Sequence, residues 1–105
     1  MIGLEVNMFY IELQKIPSQI LNIVLDNQNC ELKIQQKDNR IYSSIKVNDI
    51  IITNGILCLT NVNLIPYGSN NYLKGTLKFI DIFGNDDTEP NDYREFNDRF
   101  ILTYE

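Results

Sequence analysis

The sequence contains no histidine, no tryptophan and no alanine, and its two cysteines, Cys30 and Cys58, are far apart in the chain. Without histidine the usual Ser-His and Cys-His pairs of nucleophile and base cannot form, which excludes that form of catalysis. Two separated cysteines do not supply the ligand set of a zinc site. We expect both to be small buried hydrophobic residues in a reducing compartment. The lack of alanine, the best helix former, disfavours helices.

Long apolar runs are also missing. No stretch approaches the roughly 18 apolar residues of a membrane helix. Glu5 and Asn7 interrupt the apolar N-terminus, which lacks the basic region that begins a signal peptide. The sequence therefore predicts a soluble protein that is made in a cytoplasm and does not enter a membrane.

Positive charge is scarce, and negative charge is concentrated in one stretch. The net charge is −5, and residues 81–98 contain seven acidic residues against one base, Arg94. Because binding to phosphate backbones is driven by lysine and arginine, this balance argues against nucleic acid as a partner. The simplest interpretation of the acidic stretch is a solvated loop.

The sequence does contain a series of short apolar runs separated by Gly, Pro, Asn and Asp, a pattern typical of strands and turns. Cys30, Leu32 and Ile34 alternate with polar residues, and so do the apolar residues of Arg40–Val47. The predicted strands span residues 8–13, 20–25, 30–36, 40–47, 50–52, 56–65, 77–83 and 96–105. They indicate one all-β domain over residues 1–105, a small antiparallel β-sandwich or barrel of seven or eight strands, with residues 1–7 as a flexible N-terminal arm.

Several local features are predicted as well. Polar turns are expected at residues 26–29 and 37–39, and Asn54-Gly55 is the dipeptide best suited to a type I′ hairpin. The mostly apolar run 20–25 is expected to lie deep. At most one helical turn is expected, near Pro17 or within residues 89–97. The predicted core includes Leu32, Ile34, Ile45, Leu57, Leu59, Leu77, Phe79 and Leu102.

The acidic stretch permits two chemical interpretations, both weak. An EF-hand calcium loop that begins at Asn85 would need Gly at Pro90 and Glu at Phe96, so the pattern fails at both diagnostic positions. A glycosidase would need two carboxylates that flank a cleft, whereas the adjacent Asp86 and Asp87 point in opposite directions on an extended chain. We therefore predict no catalytic residue, no metal site and no cofactor.

A third interpretation is a binding face for single-stranded nucleic acid or oligosaccharide, as in small OB-like β-barrels. Basic residues interleaved with an aromatic residue would form that face: Lys33, Lys37, Arg40, Tyr42 and Lys46. The acidic total favours an ordinary solvent-facing strand pair instead. This binding role is the alternative function.

Motifs along nearly the whole chain, from about residue 11 to 104, resemble those of a known family. The matching pieces are IEL with IPSQ (11–13, 16–19), LDNQ (25–28), G…LIPY with YLKG (55–67, 72–75), FID with GNDD (79–81, 84–87) and RFILTY (99–104). In this order and spacing they are similar to the "IPL…PNQ", "G…LLPPYRYLG" and "F-x-D-x-x-G-N-D-D-P" elements of the cyanophage-type baseplate plug proteins of contractile-tailed phages.

The resemblance implies a structural role and no enzymatic activity. A member of this family would be a virion component at the centre of the tail baseplate, in contact with the hub or tube and with other plug copies as a homo-oligomer. In such a protein we expect Tyr67, Tyr72, Asp86 and Asp87 to lie at subunit contacts, because turn aromatics and clustered acids are typical of interfaces. The competing interpretation is that both tyrosines fold inward and the acids only cap a strand end.

Overall fold

The computed structural model describes residues 8–69, 71–85 and 87–105, which form two antiparallel sheets. The strands are β1 (Phe9–Ile11), β2 (Ser18–Leu25), β3 (Gln28–Lys37), β4 (Arg40–Val47), β5 (Ile50–Leu57), β6 (Leu77–Asp81) and β7 (Phe100–Tyr104). One sheet has the order β2-β3-β4-β5 and the other β1-β7-β6. The predicted all-β fold is thus confirmed. The arm predicted at residues 1–7 lies outside the described residues.

Strands β2 to β5 form a meander because each connection is a two-residue polar turn. Asp26 and Asn27 join β2 to β3 with φ of 52° and 60°, and Asn48 and Asp49 join β4 to β5 with φ of 48° and 70°. Asn and Asp tolerate this left-handed conformation, whose twist matches that of the flanking strands. These turns bring β2, β3 and β4 into register over their full lengths.

Asn54 and Gly55 do not form the predicted hairpin. Both lie inside β5, where together they face the single residue Ser44 of β4, as the register steps from Ile45–Thr53 to Ser43–Ile56. Gly55 has φ of 68°, and its N–H donates to Ser44 Oγ at 2.8 Å. This is a β-bulge, which uses the same left-handed glycine that a hairpin would use.

The predicted strand 56–65 is also wrong, because regular pairing stops at Leu57 and the chain then crosses between the sheets. Cys58 N still donates to Ile41 O of β4 at 2.8 Å, whereas Asn61 N donates to Phe79 O of β6 at 2.7 Å. Leu64 N then donates to Leu77 O at 2.6 Å. The crossing segment, residues 58–64, therefore covers the outer edge of β6.

The two sheets enclose one hydrophobic core, which makes the molecule a sandwich rather than a barrel. Most of the predicted core residues are buried as expected: Leu32, Ile34, Ile45, Leu77, Phe79 and Leu102. Two predictions were wrong, since Leu57 is only half-buried and Leu59 is exposed. Their places are taken by Cys58 and Thr60, because the bulge at Asn54 and Gly55 adds one residue to β5 and so reverses which alternate side chains point inward.

Strand β2 is not as deep as predicted. It lies at the edge of the four-stranded sheet, and its residues Ile20 and Val24 are 59% and 62% exposed. The run is apolar on both faces, so alternation could not reveal that one face is open. The one helical turn among the residues that the structure describes, a 3-10 turn at Tyr93–Glu95, lies inside the predicted range 89–97.

Candidate interaction surfaces

The tyrosine turn, which contains Tyr67 and Tyr72, precedes β6 in the chain. Ser69 N donates to Pro66 O at 3.1 Å, and Tyr72 N donates to Ser69 O at 2.9 Å, so the turn has its own hydrogen bonds. Tyr67 is fully exposed at 106%, whereas Tyr72 is half-buried and packs against the core. Of the two predicted interface tyrosines, Tyr67 is therefore presented to solvent and Tyr72 supports the base of the turn.

A network of hydrogen bonds from both sheets holds the chain that follows this turn. Lys74 N donates to Asp26 Oδ2 at 2.9 Å, and the Tyr104 hydroxyl donates to the same oxygen. Gly75 N in turn donates to Tyr104 Oη at 2.9 Å. The hydrogen bond from Tyr104 lowers the pKa of Asp26, while burial and this carboxylate raise the pKa of Tyr104 to about 12. The chain directly after the tyrosine turn is thus bound to the β2–β3 turn and to β7.

The acidic stretch begins with a buried ion pair at the other end of β6. Asp81, whose side chain is 0% exposed, accepts from Arg99 Nη2 at 3.1 Å, Thr88 Oγ1 at 2.9 Å and Phe83 N at 2.9 Å. Hydrogen bonding by Arg99 is the main reason that the pKa of Asp81 is lowered. Arg99 lies 5.0 Å from the Phe83 ring centre and 5.1 Å from that of Phe100, distances typical of cation–π contacts.

Three further acids of the stretch are paired with bases of the same chain. Glu89 binds Arg40 through two hydrogen bonds of 2.7 and 3.0 Å, Asp92 binds Arg94 in the same bidentate way, and Asp98 pairs with Lys15. Much of the stretch is therefore not a free solvated loop. Its negative charge is largely neutralised inside the molecule, which no short-range sequence signal reveals because Arg40 and Lys15 are distant in sequence.

Strand β6 lies between the two predicted interface tyrosines and Asp87. The tyrosine turn precedes the Leu77 end of β6, and Asp87 follows the Asp81 end, so the length of a five-residue strand separates the two. At about 3.3 Å per residue this is roughly 15 Å. Asp87 is exposed, and Asp86 lies outside the described residues. Lys74, after the tyrosine turn, contacts Asp26 of the β2–β3 turn, whereas Glu89, in the acidic loop that follows β6, pairs with Arg40 at the start of β4.

Some surface residues were missed by sequence reasoning. Large apolar side chains are exposed away from the predicted site, including Ile20 and Val24 on β2 and Phe83 after β6. The mostly apolar run 20–25 is predicted to lie deep, and Phe83 is the last residue of the predicted strand 77–83. The signal that could have identified β2 as an edge is Pro17 directly before it, because proline in sheets is confined to edge strands, bulges and strand starts.

The described residues offer little for catalysis. Burial raises the pKa of the Cys58 thiol to about 12, and Cys30 is also a buried free thiol. In the part of the chain that the structure describes, no group of three or more His, Cys, Asp or Glu residues gathers as metal ligands. In the same residues no helix is long and apolar enough to cross a membrane.

The fold and surface together define a class, a small two-sheet β-sandwich whose conspicuous features are exposed aromatic and apolar side chains. A family model described as "Cyanophage baseplate Pam3 plug gp18" matches residues 8–105. The chain belongs to this family of cyanophage baseplate plugs, which supports a structural role in a baseplate and agrees with the family that its motifs suggest. No curated protein matches the chain.

Proposed function

We propose that this protein is a plug at the centre of a phage tail baseplate and acts through contacts with hub or tube proteins and with other copies of itself. It is made in the cytoplasm of the bacterial host, becomes part of the virion and catalyses no reaction. The observation that carries this proposal is the family match over residues 8–105.

The exposed turn supplies the first contact. Tyr67 presents its whole side chain to solvent from a hydrogen-bonded turn, so a partner can cover a large aromatic surface with little loss of chain entropy. Tyr72 contributes through the base of the same turn. The network around Asp26 keeps this turn in place, which favours a preformed contact.

The acidic loop, the part of the acidic stretch that follows β6 and includes Asp87, supplies the second contact. Asp87 is exposed at the opposite end of β6, next to Asp86 in sequence, and together they provide negative charge for a basic partner. Because roughly 15 Å of strand separates the two loops, we assign them to different neighbours. A subunit with contacts at both ends suits a plug that lies between two other baseplate components.

The test measures how much of each variant is incorporated into assembled tails. One variant carries Tyr67→Ser, and the other carries both Asp86→Asn and Asp87→Asn. Each change should lower the amount of this protein in purified tails severalfold, because an interface anchor or a charge pair is lost. The matched control is Asp49→Asn, an exposed turn acid with φ of 70° that asparagine also tolerates.

If both folded variants entered tails at the control level, the contact residues would be wrong. If the unmodified protein were absent from virions, the baseplate role itself would be wrong. Cross-linking at residue 67 and at residue 87 should also recover two different neighbours.

The alternative of single-stranded nucleic acid or oligosaccharide binding receives less support. Arg40 forms an ion pair with Glu89, and Lys46 Nζ lies 3.9 Å from Glu31 Oε1. Two of the five residues that suggested this face therefore have acidic neighbours. Lys37 does lie 5.7 Å above the Tyr42 ring. Micromolar binding of single-stranded DNA in 150 mM salt, where weak electrostatic binding disappears, would restore this alternative.

A further inference from the structure

Among residues 8–69, 71–85 and 87–105, no strand pairs with the outer edge of β2, which leaves a defined set of its backbone groups without a strand partner. Gln36 N donates to Pro17 O at 2.7 Å, and these two residues continue the register in which Gln19 faces Ile34. Since hydrogen-bonded and non-bonded pairs alternate in antiparallel strands, odd-numbered residues of β2 bond to β3. The N–H and C=O groups of the even-numbered residues therefore point away from the sheet: Ser18, Ile20, Asn22 and Val24.

Two other edges of the sheets are protected in ways that β2 is not, and β1, at the remaining edge, has only three residues. The crossing segment 58–64 covers β6, and bulges interrupt the pairing of β5 near its left-handed Gly55. Strand β2 is eight residues long, pairs with β3 without irregularity, and contains no charge and no proline. Natural edge strands usually carry such protective features, so an edge without them indicates a strand that is covered in the assembled state.

The side chains along this edge identify the occupant. Ile20, Asn22 and Val24 are exposed and share one face, with an amide between two β-branched residues. When the strand is followed in the opposite direction, the order is again a β-branched residue, an amide and a β-branched residue. A second copy turned by a two-fold axis at Asn22 would place Ile20 opposite Val24 of that copy, and the two Asn22 side chains opposite each other, where amides can both donate and accept.

The charges near the edge permit this pairing. Glu31 of β3 lies beside Asn22, and in the paired sheet the two Glu31 residues would be three strand spacings apart, or about 14 Å. That exceeds the Debye length of about 8 Å at physiological salt. Lys46 lies 3.9 Å from Glu31 within each copy and offsets its charge. A charged partner strand, by contrast, would find no counter-charge along β2.

We propose that β2 pairs with β2 of a second copy across a two-fold axis at Asn22, which joins two four-stranded sheets into one continuous eight-stranded sheet. This contact deepens the proposed function, because it specifies how plug copies bind one another, and it rests on that function for its place in the tail. Its formation can be measured in solution, so its failure is distinguishable from failure of the baseplate role.

The experiment measures the mass of the purified protein by sedimentation over a range of concentrations. The unmodified chain should form dimers. N22D and N22K should each weaken dimerisation roughly tenfold or more, because like charges would face each other directly across the axis. An equal mixture of N22D and N22K should dimerise again as a mixed pair, since opposite charges then meet. Asn22 is exposed, so both variants should fold, and circular dichroism would verify this.

The matched control is Val62→Lys, compared with Val24→Lys. Val62 is 47% exposed and lies in the crossing segment, away from β2, whereas Val24 is 62% exposed on the edge. Only Val24→Lys should weaken the dimer. A monomeric unmodified protein at millimolar concentration, an N22D dimer as stable as the original, or a mixture that stays monomeric would each overturn the proposal.

Discussion

Two buried polar residues do more than fill the core, because each connects parts of the chain that are distant in sequence. Tyr104 reaches from β7 to Asp26 in the β2–β3 turn, and Asp81 holds Arg99 and Thr88 around the start of the acidic loop. Buried hydrogen bonds of this kind are modest in net energy but costly to leave half-made. They bind residues on either side of β6 to the two sheets.

Replacing Asp81 should make stability less dependent on acid pH. The folded-state pKa of Asp81 is lowered, so its contribution is fully present above the unfolded value, about 3.9, and disappears as the pH falls through the lower folded pKa. We expect Asp81→Asn to have a lower thermal midpoint than the unmodified protein at pH 7. The difference should shrink towards pH 2, where Asp81 itself is protonated and neutral.

Thermal unfolding between pH 7 and pH 2 provides the measurement, with Asp49→Asn as the control at an exposed turn. The control should keep a midpoint close to that of the unmodified protein at pH 7. A difference between Asp81→Asn and the unmodified protein that stayed constant down to pH 2 would contradict the role of the Asp81 charge.

At the scale of elements, the connection into β6 depends on a close approach that only glycine allows. A Cβ at Gly75 would lie 2.4 Å from Glu105 O and 2.5 Å from Cζ of Tyr104. The pairing of Thr76 with Glu105, through bonds of 3.0 and 3.1 Å, draws these two segments together. The glycine is therefore required by space, since its φ is not left-handed.

Gly75→Ala should lower the free energy of unfolding by about 1–3 kcal/mol, the usual cost of overpacking where backbone must shift. It should also loosen the tyrosine turn, which amide exchange at Tyr72 and Leu73 would report. Gly55→Asn is the control, because a Cβ there meets nothing within 4 Å and asparagine tolerates φ of 68°. Equal stability of the two variants would show that the contact at Gly75 is not tight.

At the scale of the whole molecule, the two sheets depend on each other because they share one core. Phe79 of β6 is 0% exposed and stacks on Phe96 with 5.8 Å between ring centres, and the core continues to Leu32 and Ile45 of the other sheet. Neither sheet can keep its apolar face buried alone, so we expect a single cooperative unfolding transition.

Phe79→Ala should lower the free energy of unfolding by about 3–5 kcal/mol, as large-to-small changes in a core do. Strands of both sheets should lose amide protection at the same denaturant concentration. Phe83→Ala, at a side chain that is 71% exposed, should change stability by about 1 kcal/mol or less, the worth of its contact with Arg99. Separate transitions for the two sheets would contradict the shared core.

The sequence by itself determined the elements whose causes are local. Alternation along β3 and β4 gave their inward faces correctly, because side chains of a strand with one open face must alternate between core and water. The Asn and Asp pairs located the turns, since few residues accept positive φ. The motifs also indicated the family to which the chain belongs.

Only the tertiary structure decided what depends on distant partners. Whether an apolar run such as β2 is central or at an edge depends on its neighbours, and whether Asn54-Gly55 makes a hairpin or a bulge depends on the register against Ser44. Asp81 is buried because Arg99 meets it there. Strand β6 lies between Tyr67 and Asp87 in the chain and places these two residues at opposite ends of the sandwich. These outcomes follow from packing across the whole chain, which short-range propensities do not encode.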